Sequence, residues 1–130
     1  MKNLILVGIL FCSGICYGQL NQSEQPFAIV EKMPTFPGGN DKMMKFIQTN
    51  ITYPEFEKEH NITGTCYVTF VVEKDSTLSG IKILRGVAGG QGCDKEALRV
   101  ISIMPKWNPG TQNGNLVSVQ YNLPIKFYLR

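Results

Sequence analysis

The segment VSVQYNLPIKF, residues 117 to 127, constrains the fold more than any other stretch. Val117, Val119, Tyr121, Leu123, Ile125 and Phe127 alternate with Ser118, Gln120, Asn122, Pro124 and Lys126. Side chains on a strand point to opposite faces in turn, so this period of two marks a half-buried β-strand with one wet face. Pro124 narrows the choice further. It has no N–H to give a neighbouring strand, so the segment belongs at a sheet edge, with the missing donor facing outward.

Residues 64 to 86, GTCYVTFVVEKDSTLSGIKILRG, carry a hairpin pattern. Cys66, Val68, Phe70 and Val72 share one face, and Tyr67, Thr69 and Val71 share the other. EKDSTLSG supplies the turn residues, after which Ile81 and Ile83 resume the alternation. Two helical patterns complete the set. Met43, Met44, Phe46 and Ile47 give Asp41 to Gln48 one apolar face, with Gly39 or Asn40 as its cap. Ala97, Leu98, Val100, Ile101 and Met104 do the same for Asp94 to Met104, opposite Lys95, Glu96 and Arg99. Proline closes both helices, through Asn50–Pro54 in one case and Pro105 in the other.

The order helix, strand, strand, helix, strand closes in one natural way. The second strand returns to the end where the first began, and the helix then runs back along the sheet. The last strand must therefore lie antiparallel to the first. The expected fold is α+β: a three-stranded antiparallel sheet in the order second, first, last, with two helices on one face. Trp107, the only tryptophan, follows the second helix and precedes NPG; its expected place is the core between helix and sheet.

At 130 residues the chain has room for one domain, and its first eighteen residues fall outside it. Lys2 followed by the run Leu4 to Phe11, with small residues leading to Gly18, predicts a secretory signal cleaved before Gln19. The expected division is 1–18 signal, 19–38 extended arm, with Leu20 to Phe27 a flexible lead-in, and 39–130 domain. An uncleaved membrane anchor is the alternative, although Leu4 to Tyr17 offers about 14 apolar or small residues against the roughly 20 that span a bilayer. A lipid anchor at Cys12 or Cys16 is disfavoured by Phe11 and Ile15, where a small residue normally precedes.

Export leaves Cys66 and Cys93 in an oxidising setting. The topology puts both at the same end of the sheet, and a disulfide between them is expected; closing a loop of 27 positions, it would stabilise the fold by about 3 kcal/mol. The alternative is a pair of small buried hydrophobes. His60 is the single histidine, so neither a zinc site nor a Ser/His/Asp or Cys/His centre is expected, and no cofactor. GVAGGQG lacks the Lys-Ser/Thr ending of a phosphate-binding loop. Glu55, Glu57 and Glu59 read as a solvated turn. A net charge of +3 with both signs interspersed excludes a nucleic-acid surface.

At the residues after the first helix the chain resembles the C-terminal domain of the TonB family, in the form common in Bacteroidetes. The matching pieces are Tyr53-Pro54, Gly64 eleven residues later, VTFVVEKDSTLSGIKILRG, CDKEALRVISIMPKWNPG and VSVQYNLPIKF. VEKMPTFPGGND resembles the segment that precedes the domain in that group, and the similarity runs from about residue 29 to the end. The resemblance implies a periplasmic protein linked to active transport through outer-membrane receptors. In the family this domain grips a short receptor peptide, the TonB box, by adding it as a strand to the sheet edge that matches Val117 to Phe127. The segment around YP is the other receptor contact, which carries over to Asn50, Tyr53 and Pro54.

Edge addition works through main-chain hydrogen bonds and needs an exposed edge more than particular side chains. Each residue of an antiparallel strand points its N–H and C=O the same way, in and out by turns. Ser118, Gln120 and Asn122 share the parity of Pro124 and are the expected docking positions, with Tyr121 between them and Pro124 ending the ladder. The same edge could instead pair with a second copy. The family's energy transducers carry an N-terminal membrane helix and a long linker, and Glu57 stands where they usually have alanine. A cleaved signal and a short lead-in therefore point to a binding module. An anchored chain would add inner-membrane motor proteins as partners, and a secreted adaptor that has lost the peptide edge is the remaining alternative.

Overall fold

The computed structural model describes residues 25–129. The expected signal, its cleavage site, Cys12 and Cys16 lie outside them.

Two helices precede the sheet. Helix α1 (Asn40–Asn50) starts from Gly39, whose φ of 92° is one that glycine adopts without strain, and buries Met43 and Ile47 while Met44 stays half exposed. After Tyr53-Pro54 comes α2 (Glu55–Glu59), a short helix. Strands β1 (Gly64–Val72) and β2 (Leu78–Arg85) form the expected hairpin. Its turn is locked by Asp75, whose Oδ1 accepts hydrogen bonds from the Thr77 N–H at 3.1 Å and the Thr77 hydroxyl at 2.6 Å. Those bonds hold the exposed Asp75 carboxyl below its ordinary pKa.

Helix α3 (Gln91–Ser102) buries Cys93, Ala97, Val100 and Ile101. A small hairpin follows, β3 (Gly110–Gln112) and β4 (Asn115–Val117), and then β5 (Val119–Phe127). The main sheet has the order β2-β1-β5, with β1 antiparallel to both neighbours and an unbroken register from Gly64↔Phe127 to Val72↔Val119. This is the expected α+β sheet and order.

The inward sets of β1 and β5 are Cys66, Val68, Phe70 and Val72 with Val119, Leu123, Ile125 and Phe127, all buried. Trp107 is 2 % exposed and meets Phe70 and Tyr121 of the sheet edge-on, with centroids 5.4 and 5.1 Å away. A third partner is Phe36, at 5.8 Å. The indole therefore joins the arm before α1 to β1 and β5, within the buried core that also holds Val100 and Ile101 of α3. Its backbone N–H is held by the Ser76 carbonyl of the β1–β2 turn at 3.1 Å.

The arm is built into the fold. Lys32 and Thr35 pair antiparallel with Thr111 and Asn108, and Phe27 forms a parallel bridge with Val119. The expected flexible lead-in thus gives way to pairing at Phe27.

Candidate edge-strand binding site

Phe27 shows which backbone groups of β5 face outward. Its N–H donates to the Ser118 carbonyl at 2.9 Å, and its carbonyl accepts from the Gln120 N–H at 2.7 Å. The outward residues are therefore the even-numbered ones, and 119, 121, 123, 125 and 127 face β1. Pro124 falls on the outward parity, where its missing N–H takes nothing from the ladder with Tyr67. Beyond Gln120 no described strand pairs with this side of β5. The open groups are the carbonyls of Gln120 and Pro124 and both backbone groups of Asn122 and Lys126.

The candidate residues thus divide. Ser118 lies between β4 and β5; its carbonyl and the Gln120 N–H are engaged by the arm, and its hydroxyl donates to Glu73 at 2.7 Å. The Gln120 side chain lies over the wet face and donates to the Thr69 hydroxyl at 3.0 Å, which accounts for Thr69 being 1 % exposed on that face. Tyr121 packs its ring on Phe70 and Trp107. Asn122 is exposed, with both backbone groups outward.

Asn50, Tyr53 and Pro54 lie at the other end of the same edge. Tyr53 packs edge-on against Phe127, the last residue of β5, at 5.6 Å, and its hydroxyl donates to the Ile62 carbonyl. Burial raises the Tyr53 pKa, helped by the neighbouring Cys93 and Glu57. Asn50 ends α1, and its carbonyl accepts from Arg99 at 2.6 Å. Glu96 holds the Thr52 N–H at 2.7 Å and pairs with Arg99 at 2.7 Å. These bonds lower the Glu96 carboxyl and raise the Arg99 guanidinium. Pro54 caps the start of α2. The YP segment is fixed to α3 and to the end of β5, so the two expected contact regions form one continuous margin.

Two expectations are corrected. Glu57 is no part of a solvated turn: it is 4 % exposed, and its Oε2 accepts the Gly92 N–H at 2.6 Å in the first turn of α3. A carboxylate there meets the positive end of the helix dipole, and only glycine fits beneath it, since a Cβ on residue 92 would lie 2.5 Å from Oε2. The disulfide is also absent: Cys66 and Cys93 are free, buried thiols. Burial, with the neighbouring Asp94 carboxylate, pushes Cys66 up to about 12. Burial and the charges of Glu57 and Asp94 push Cys93 up to about 11.

Among the described residues no three metal-ligating side chains converge, and no helix is long and apolar enough to cross a membrane.

Comparison with known proteins agrees with this geometry. The family described as Gram-negative bacterial TonB protein C-terminal matches residues 49–129. No curated protein matches the chain. The solution structure of the TonB C-terminal domain of Helicobacter pylori (residues 179–285) is similar in fold. It is 22 % identical with a TM-score of 0.50, over 72 % of this chain and 87 % of that one. With well over half its length inside the family's domain, the chain belongs to the TonB C-terminal family, whose domains are periplasmic and serve TonB-dependent transport.

Proposed function

We propose that this chain is a non-enzymatic, exported binding module that takes the TonB-box peptide of outer-membrane receptors as an added strand along the outer edge of β5. The observation that carries the reading is the parity of that edge: Asn122 and Lys126 turn both backbone groups outward, and Pro124 puts its missing donor on the same side. Tyr53 and Pro54, at the Phe127 end, supply the second contact. Residues 1–18 direct export, 19–38 form the arm and 39–130 the binding domain, which works in the periplasm. A second copy is the natural competitor for the edge, because an open strand pairs with any extended chain.

Asn122→Pro tests the edge directly. It deletes one outward N–H and leaves every bond between β5 and β1 in place. A synthetic TonB-box peptide should then bind at least about tenfold more weakly, from one lost hydrogen bond and a ring in the path of the partner's carbonyl. Unchanged binding by a folded variant would remove the edge from the site.

A further inference from the structure

Beside the open edge lies a groove of about 590 Å³, between α1 and β5. Met43, Met44, Ile47 and Ile51 form one wall, and Tyr121, Leu123 and Ile125 form the other. That volume is in the usual range for ligand sites, about 300–1,000 Å³. Met44 is 50 % exposed here, although the helix turns its apolar face inward. The polar residues Asn40, Gln48 and Lys126 sit along the rim.

A strand added to β5 continues the pleat of the sheet. Its side chains alternate between the wet face of Gln120 and Asn122 and the face shared with Tyr121, Leu123 and Ile125. The second set projects into the groove. Phe27 already pairs an extended backbone with the start of this edge, so such an occupant is compatible with the strand as it stands.

We infer that the α1–β5 groove reads one face of the docked peptide, selecting linear segments that carry apolar side chains at alternate positions. The paired methionines set the kind of selectivity. Unbranched and polarizable, they adapt to Leu, Ile, Val, Met or Phe alike, so the groove selects a class of side chain and rejects charge. Carboxylates or ammonium groups at those positions would lose water without gaining a partner. This inference rests on strand addition at β5 and gives that site its sequence preference.

The test uses the chain from Gln19 and two nine-residue peptides of identical composition. One alternates apolar and polar residues, and the other has them in two blocks. Binding is measured by fluorescence anisotropy to the unaltered chain, to Met44→Lys and to Asn122→Pro. The alternating peptide should bind at least about tenfold more tightly than the blocked one, and Met44→Lys should erase that preference. Met44→Leu should retain it. Met44 is half exposed, so both variants should keep the parent unfolding temperature within a few degrees. Equal binding of the two peptides, with Asn122→Pro still weakening both, would overturn groove selection while strand addition stood. Binding that Asn122→Pro leaves intact would overturn strand addition and the groove inference with it.

Discussion

Removing the first turn of the arm should lengthen the site. Phe27 holds the Ser118 carbonyl at 2.9 Å and the Gln120 N–H at 2.7 Å, the first two outward groups of the edge. A peptide that needs those groups must displace it. Each bond contributes about 0.5–1.5 kcal/mol net, so displacement costs about 1–3 kcal/mol. At about 1.4 kcal/mol per factor of ten, that is a handicap of about five- to 150-fold. A chain starting at Ile29 removes Phe27 and keeps Val30 and Phe36, the arm residues buried in the core. Two peptides make the assay specific. A nine-residue peptide runs the length of β5, and a five-residue one fits within Gln120 to Lys126. In anisotropy titrations the long peptide should gain about five- to 150-fold on truncation, and the short one should not change. Equal affinity of the long peptide for both chains would refute the reasoning, because Phe27 would then not compete for the edge. Circular dichroism melting should confirm that the truncated chain stays folded.

Four further outcomes follow from the geometry. Glu57→Ala leaves the Gly92 N–H without its charged acceptor and should cost about 1.5–3 kcal/mol in urea unfolding; Glu57→Gln, which keeps an acceptor oxygen, should cost about half as much. Trp107→Ala should cost about 3–5 kcal/mol, read by circular dichroism, and Trp107→Phe clearly less, since the indole Nε1 has no hydrogen-bond partner to lose. The thiols of Cys66 and Cys93 titrate higher folded than unfolded, so their contribution is complete below pH 9, where both states are protonated. It is then lost as pH rises through about 11 to 12, and a Cys66→Ala/Cys93→Ala chain should melt with a shallower alkaline decline. Protein recovered from its native envelope should begin at Gln19 in the soluble periplasmic fraction; Met1 retained in the membrane fraction would make it an anchored chain.

The sheet was legible because alternation survives in β1, β2 and β5, each of which has at least eight residues. The outward parity of Pro124 was legible for a covalent reason, its lack of an N–H. Shorter elements were not. Strands β3 and β4 have three residues each, too few for a period to show, and they are stabilised by pairing with the distant Lys32. The available signal was Asn113-Gly114, both with positive φ, as a two-residue hairpin turn requires. Glu57 was hidden by composition, since a carboxylate flanked by Glu55 and Glu59 looks solvated until the fold brings Gly92 over it. Cys66 and Cys93 share the core as expected, but as free thiols, since nearness in the fold does not by itself meet the geometry a disulfide needs. The Phe27 pairing rests on a single bridge, which leaves no pattern in the sequence.

Trp107 has one more consequence. It is the sole indole, and it touches the arm through Phe36, the central strand through Phe70 and the edge strand through Tyr121. The molecule therefore contains a built-in optical probe at the junction of the three segments that binding would disturb. Release of the arm or occupation of β5 should shift its emission without any attached dye, and stopped-flow traces could then tell which of the two happens first.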